Sequence, residues 1–387
     1  MSYNLLIIDP QNDFMEGGNL GVTGAREDMK RIISLINKDP NIKQIFVSLD
    51  THTPDHIGHQ GFWDKYKKPA EVEGAPVPEE EPVKNYTTFK VINENGKNII
   101  TDLDDKFTYL PKKKEYTEYA IEYIRSFQNQ NESSETFKGK PLIWPTHCLE
   151  GSEGHHIFEP LEKILRTKFN TEYYIKGQNE LVEMYSIFQG EFSTDEFMYS
   201  GKMGETCRGV STEELLKCSD PIGKVDYKKL FVNDRKPYLN TRFNDNGLFN
   251  SLTKFGRPIY ICGEALSHCV NWSLRDLVNK LIKSNNKYYT TEDQKLIPNK
   301  IFLIRNASSG IPEYDKNVSN LEQFCQDKGV SMIDITDGSI PSSKKIEWGA
   351  NHIPMIRLGG RRRTKKNRYK KRSISRKRRS SRRSARK

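Results

Sequence analysis

The sequence predicts an α/β fold: a doubly wound, mostly parallel sheet with helices on both faces, two long insertions and a disordered basic C-terminal tail. Three observations carry that reading. Short apolar runs alternate with helix-length stretches along the chain, the order that a parallel sheet with crossover helices requires. The first run, Tyr3 to Ile8, is close to continuously apolar and bounded by Pro and Gly, which suits a strand buried on both faces. From residue 356 onward apolar residues give way to Lys, Arg and Ser, and such a segment cannot bury a core.

In chain order, strands are expected at residues 3–8, 43–49, 172–175, 258–262, 299–305 and 330–335, and helices at 24–38, 155–167, 267–283 and 315–328. The insertions fall at about 60–141 and 189–248, within a domain spanning 1–355. In the first insertion the Pro- and Glu-rich stretch 69–82 reads as linker. Phe89-Lys-Val-Ile and Asn98-Ile-Ile-Thr then flank Asn95-Gly96, a hairpin signal. Tyr116, Tyr119, Ala120, Tyr123, Ile124 and Phe127 recur at helical spacing, an aromatic stripe that reads as core. The second insertion carries Cys207 and Cys218 among many charges; a lid and an oligomer contact both suit it.

Composition excludes several classes. The chain has 387 residues and no apolar stretch of the ~18 residues that a membrane span needs. Its first residues enter a strand without a basic leader or cleavage site, which predicts an intracellular protein. Six cysteines, at 148, 207, 218, 262, 269 and 325, show no paired spacing, so reduced thiols are expected rather than a disulfide framework. The net charge of +11 hides a division: residues 361–387 hold 17 Lys or Arg and no acid, leaving 45 bases against 51 acids elsewhere. A polycationic tail on an acidic body suits nuclear import, association or packaging with nucleic acid, or simple solubilisation. With Tyr369 its sole aromatic residue, the tail is expected to bind nucleic acid through phosphates and without sequence preference. Cytoplasmic and nuclear locations both fit. Similar basic tails occur on proteins of large DNA viruses, which adds virion association as an expectation.

Four segments bear chemistry. Pro258-Ile-Tyr-Ile-Cys262 is broken by Gly263, and Ser267 and His268 then open a helix. Cys269 stands at that start, where the positive end of the dipole favours a thiolate. Asp9 ends the first strand, the place where open α/β sheets hold ligands. Lys176-Gly177 ends another short β-type run, Tyr173-Tyr-Ile. The fourth segment, Asp50-Thr-His52-Thr-Pro-Asp-His56-Ile-Gly-His59, follows Ile45-Phe-Val; Asp50 and His52 share one face if the strand continues through them. One carboxylate plus imidazoles suits zinc, iron or manganese. His147, in Trp144-Pro-Thr-His147-Cys148, is a further donor. Singly these are a packed thiol, a turn-forming acid, a surface lysine and solvated histidines. Together they set a nucleophile, an acid and an ammonium at the mouths of separate strands.

In order, these segments resemble the isochorismatase-like cysteine hydrolase superfamily, and most closely its nicotinamidases. The resemblance rests on Leu6-Ile-Ile-Asp9-Pro-Gln-Asn-Asp-Phe14 with Glu16-Gly-Gly, on Asp50-Thr-His52 with Pro54 and His56, and on Trp144-Pro-Thr-His147-Cys148. Lys176-Gly177 with Tyr185-Ser-Ile-Phe188, and Ala265-Leu-Ser-His268-Cys269-Val, complete it. It implies a catalytic triad of Asp9, Lys176 and Cys269, in which Asp9 takes the thiol proton and Lys176 favours the charged pair. It also implies an oxyanion hole from the backbone N–H groups of Ala265 and Cys269, with a cis bond before Ala265. A divalent metal, zinc first with iron or manganese as alternatives, would sit on Asp50, His52 and His147. His56 matches a position that is a ligand in some members only, and His59, with no counterpart, reads as a loop residue. Phe14 and Trp144 match the aromatic residues that sandwich a pyridine ring, and Tyr185 and His268 complete the implied substrate pocket. The implied activity is hydrolysis of a small-molecule amide, nicotinamide, to nicotinic acid and ammonia through a cysteine thioester, in NAD salvage. The alternatives are another amidohydrolase on this scaffold, or a catalytically silent binding protein with a nucleic-acid-associating tail; a homo-oligomer suits any of them.

Overall fold

The computed structural model describes residues 2–67, 77–78, 81–128, 140–167, 171–191, 224–225 and 247–340. The basic tail, Cys207, Cys218, and most of both the second insertion and the stretch 69–82 lie outside the described residues.

β1 (Tyr3–Ile8) is buried along its length and runs near the middle of a seven-stranded sheet. Its parallel neighbours are β2 (Ile42–Asp50) on one side and β10 (Ile259–Gly263) on the other. β8 (Thr171–Lys176) pairs parallel with β2. β11 (Ile301–Ile304) and β12 (Ser331–Ile333) extend the β10 side in parallel, and β9 (Lys224–Val225) adds an antiparallel edge beyond β8.

The pleat of β1 feeds two cores. Leu5 and Ile7 pack with Met29, Ile32 and Leu35 of α1 (Ala25–Lys38) and with Leu161 and Leu165 of a helix over Glu159–Thr167. Leu6 and Ile8 face the other way, among side chains of helices over Gly247–Thr253, Cys269–Lys283 and Asp315–Lys328. Each such side chain contributes roughly 1.5–3 kcal/mol by leaving water. A one-residue slip of β1 would exchange the two sets.

Strand order positions the site. From β1 the chain works outward through β2 and β8, then returns to β10 on β1's other flank, so the loops after β1 and β10 diverge and leave a crevice. Asp9 follows β1, Asp50 ends β2, Lys176 ends β8, and Glu264 to Cys269 follow β10.

The first insertion folds as a second, antiparallel sheet in the order β4-β3-β7-β6-β5, built from β3 (Trp63–Lys67), β4 (Val77–Pro78), β5 (Phe89–Glu94), β6 (Lys97–Asp102) and β7 (Phe107–Pro111). Glu94 pairs with Lys97 across Asn95-Gly96, whose φ angles of 50° and 79° meet the demand of a two-residue hairpin turn. From Tyr119 onward the aromatic stripe forms the buried face of α2 (Thr117–Gln128), with Tyr116 in the turn just before it, and packs with Trp63, Phe89 and Tyr109. Leu181, Val182 and Met184 join that cluster, so the insertion braces the segment just after Lys176.

Three expectations change. The helix expected over 155–167, here α3, begins only at Glu159. Ile157 bridges Gln11, and the Phe158 N–H donates to Pro10 O, so this stretch is committed to the Asp9 loop, while Pro160 suits a helical first turn. Val77–Pro78, inside the stretch read as linker, pairs with β3. α4 (Gly247–Thr253) was not anticipated; α5 (Cys269–Lys283) and α6 (Asp315–Lys328) fall close to their expected bounds. Among the described residues no helix is long and apolar enough to cross a membrane, and Cys148, Cys262, Cys269 and Cys325 are free thiols.

Candidate active site

Asp9 sits in the left-handed region, φ 43°, where the chain turns sharply off β1. Ser48, on β2, fixes it twice: its hydroxyl donates to Asp9 Oδ1 at 2.6 Å and accepts the Asp9 N–H at 3.0 Å. The neighbouring β10 turns at Gly263, φ 117°, where a Cβ would lie 2.1 Å from Ile8 O; only glycine lets the two strand ends approach so closely.

Lys176 is fully buried and is the hub. Its Nζ lies 3.1 Å from Asp9 Oδ2 and 2.8 Å from Asp50 Oδ1, donates to Met184 O at 2.8 Å, and lies 3.6 Å from Cys269 Sγ. Burial alone would lower its pKa, but Asp50 and Asp9 outweigh burial and hold the ammonium well above its usual range. Cys269 opens α5, and its thiol is also in hydrogen-bond reach of the Asp9 carboxyl. The helix start was expected to favour a thiolate. Instead burial pushes the thiol well up, and the charge of Asp9 adds to burial against the pull of Lys176. Burial likewise raises Asp9, with Lys176 and Ser48 opposing. Both shifts run the same way, toward a thiol that holds its proton and an Asp9 carboxyl of raised basicity.

The bond Glu264–Ala265 is cis, as the resemblance implies. The N–H groups of Glu264 and Leu266 are spent on Ile8 O (2.9 Å) and Ser309 O (2.7 Å), whereas those of Ala265 and Cys269 have no backbone partner among the described residues. Two unspent donors beside a nucleophile are what an oxyanion would need.

Asp50 links this group to the histidines. Its Oδ2 lies 3.1 Å from His52 Nε2 and 3.3 Å from His147 Nε2. Burial would raise Asp50, but His52 and Lys176 hold it well below the usual carboxylate range. His52 Nδ1 is bonded to Gly177 O at 3.0 Å and His147 Nδ1 to Pro145 O at 2.8 Å. With those nitrogens as donors, each ring would, on losing the Nε2 proton, have a lone pair to offer an ion beside Asp50 Oδ2. The donor set of two imidazoles and a carboxylate fits zinc, whose tetrahedral ligands at about 2.0–2.1 Å stand roughly 3.3 Å apart. Gln11 steadies Asp50 by accepting its N–H (2.7 Å) and donating to its carbonyl (2.7 Å). Gly177, φ 75°, leaves room beside the cluster.

Two histidines stand otherwise than expected. His56 has both ring nitrogens committed to the backbone: Nε2 donates to Val182 O at 3.1 Å and Nδ1 accepts the Gly58 N–H at 3.1 Å. It backs His52 ring to ring at 4.2 Å and offers no lone pair to an ion. His59, read as a loop residue, is buried and joins His52 and His147, the three offering ligand atoms within 4.8 Å of one another. Among the described residues its Nδ1 has no hydrogen-bond partner. No spacing rule marked it, because an irregular turn brings it back.

The pocket above Cys269 is lined by Phe14, Leu20, Trp144, His147, Glu183, Tyr185, Ala265, His268 and Ile311. Trp144 Nε1 donates to Tyr185 OH at 3.0 Å, and His268 meets the Trp144 ring edge-on at 5.0 Å. Burial lowers His268 to about 3, so its ring is neutral. Three residues that the sequence did not single out belong here. Tyr314 packs against His268 at 4.5 Å, Tyr86 reaches Trp144 from the inserted sheet at 6.1 Å, and Glu183 is a buried acid on the wall. Tyr86 and Glu183 lie in loops and Tyr314 in a short 3-10 turn, none of them within a motif.

The chain matches no protein-family model and no curated protein. Solved structures similar to it include a nicotinamidase–pyrazinamidase of Acinetobacter baumanii, at 18% identity, covering 87% of this chain and 97% of that one, with a TM-score of 0.41. The yeast nicotinamidase is similar at 15% identity over 86% of this chain and 99% of its own, TM-score 0.43. A pyrazinamidase of Pyrococcus horikoshii, solved in complex with zinc, is similar at 13% identity over 86% and 99%, TM-score 0.37.

Proposed function

We propose that this chain is a metal-dependent cysteine amidohydrolase that converts nicotinamide to nicotinic acid and ammonia. The observation that carries the reading is Lys176, whose single ammonium lies within 3.6 Å of the Asp9, Asp50 and Cys269 side chains at once.

Asp9 takes the proton of the Cys269 thiol, and the resulting sulfur anion, steadied by Lys176, attacks the amide carbon. The N–H groups of Ala265 and Cys269 receive the oxygen as it gains charge, each contributing roughly 3–4 kcal/mol to the barrier. As the carbon–nitrogen bond breaks, Asp9 returns its proton to nitrogen and ammonia leaves. Asp9 then takes a proton from water as water attacks the thioester carbon; the sulfur departs, regains that proton, and the acid is released. Asp50, His52 and His147 would hold a divalent ion, zinc best by donor set, and it would supply a Lewis-acid contact that orients the ring of an aromatic amide. Phe14, Trp144, Tyr185 and His268 close an apolar wall suited to a flat ring.

Ammonia release from nicotinamide and a panel of small amides tests this directly, with Cys269→Ala as the blank. Release from nicotinamide that vanishes in the variant is the expected result. No release from any amide by the metal-loaded protein sinks the proposal.

A further inference from the structure

Glu264 immediately precedes Ala265, and its side chain meets Asp28 of α1. Both residues are buried, at 0% and 3% exposure. Ser309 holds the pair together. Its N–H donates to Glu264 Oε2 at 3.3 Å, its hydroxyl donates to Asp28 Oδ2, and its carbonyl accepts the Leu266 N–H at 2.7 Å. Arg31 bonds Asp28 Oδ1 at 3.1 Å and is the cation on the pair among the described residues; it is 39% exposed and also donates to Asn306 O. Among the described residues Glu264 Oε1 has no hydrogen-bond partner, and Ser309, bonded to one oxygen of each carboxyl, sets the two acids side by side. Two buried carboxylates against one guanidinium leave a negative charge unpaired. One proton between them removes that charge and gives the orphaned oxygen its bond.

We propose that Asp28 and Glu264 share a proton and act as a positioning pair for the N–H of Ala265, so that losing the proton slackens the loop that carries this donor. The positioning half rests on the reading of Ala265 as an oxyanion donor; the shared proton does not. Burial and the charge of Asp28 push Glu264 well above the usual carboxylate range, and burial takes Asp28 to about 6. The surroundings agree. Glu16, before α1, adds negative charge and is itself paired with Arg26 at 3.9 Å. Glu27 draws on Arg31 at 4.0 Å, and the Cys262 thiol on β10 is held protonated by its burial and by the pair. Because the folded chain binds this proton more tightly than the unfolded chain, the pair's contribution to stability is greatest in acid. It falls as the pH rises past the ordinary carboxylate range and through the raised folded value.

The test is thermal melting of the full chain between about pH 5 and about pH 9, in wild type, E264Q and E264A, with amide-hydrolysis kinetics on the same samples. The Gln amide supplies the donor that the proton supplies. E264Q should therefore melt at or above wild type at the alkaline end and lose that lead toward acid, and E264A should melt below both throughout. E264A should lose kcat with KM little changed, and E264Q should recover it and hold it where wild type declines. Parallel melting curves for wild type and E264Q overturn the shared proton; equal kcat in E264A and wild type overturns the positioning role. If wild type turns over no amide, the active-site reading fails, and the melting curves still decide the proton.

Discussion

Lys176 Nζ stands 2.8 Å from Asp50 Oδ1, while the other oxygen of that carboxylate faces His52 and His147. One side chain thus joins the ammonium beside Cys269 to the candidate metal centre, so the thiol and that centre share a common reference. Both residues end parallel strands that pair with each other in register, Asp50 opposite Lys176.

Replacing Lys176 with Met keeps the length of the side chain and removes its charge. Asp9 and Asp50 are then left buried without their common cation, a change that typically costs about 3–5 kcal/mol. Denaturant unfolding of Lys176→Met should show a loss of that order. A loss under about 1 kcal/mol would mean that the two carboxylates are not held by this lysine.

The proposed role of Asp9 as base sets the sign of the pH dependence. It works ionised, and burial lifts its pKa despite Lys176 and Ser48. As pH falls through that raised value, Asp9 becomes protonated and kcat/KM falls. The acid limb should therefore lie above the ordinary carboxylate value of about 3.9. A profile still flat at about pH 4 would exclude Asp9 as the group being titrated.

Much of this site was legible because its residues end strands. Asp9, Asp50, Lys176 and Cys269 each follow an apolar run that reads as a strand, and a doubly wound sheet gathers such positions at one edge. What the sequence hid depends on loops and on burial. His59 reaches the cluster, and His56 is spent on backbone groups, through turns that no periodicity describes. The raised thiol of Cys269 follows from its depth and from Asp9, neither of which the helix start reveals. The inserted sheet was visible only as one hairpin and one aromatic stripe; its strands β3, β4 and β7 are short, and the charges of β3 mask its pattern.

Chelation should weaken substrate binding more than it disturbs the fold. His52 and His147 are held by backbone bonds at Gly177 O and Pro145 O, and Asp50 by Gln11, all independent of an ion. KM should rise on treatment with chelator, with little change in melting temperature; a collapse in melting would show the ion to be structural. In metal analysis, His147→Ala should lose stoichiometric metal. His56→Ala, which removes only a backing ring, should retain metal with affinity lowered by about tenfold or less.

Gly177 separates a backbone cost from a cost to the metal centre. At φ 75° an L-residue is strained, and a Cβ here would lie 2.7 Å from His52 Cε1 and 2.9 Å from Asp50 Oδ1. Gly96 has nearly the same φ, 79°, with nothing within 4 Å of such a Cβ. Gly96→Ala should therefore lose only the conformational term, about 1–2 kcal/mol, and leave metal binding and hydrolysis untouched. Gly177→Ala carries that term and also forces His52 and Asp50 apart, so metal affinity and kcat/KM should fall together. Equal metal affinity in the two variants would show that the space beside Gly177 is not what holds the ligands in place.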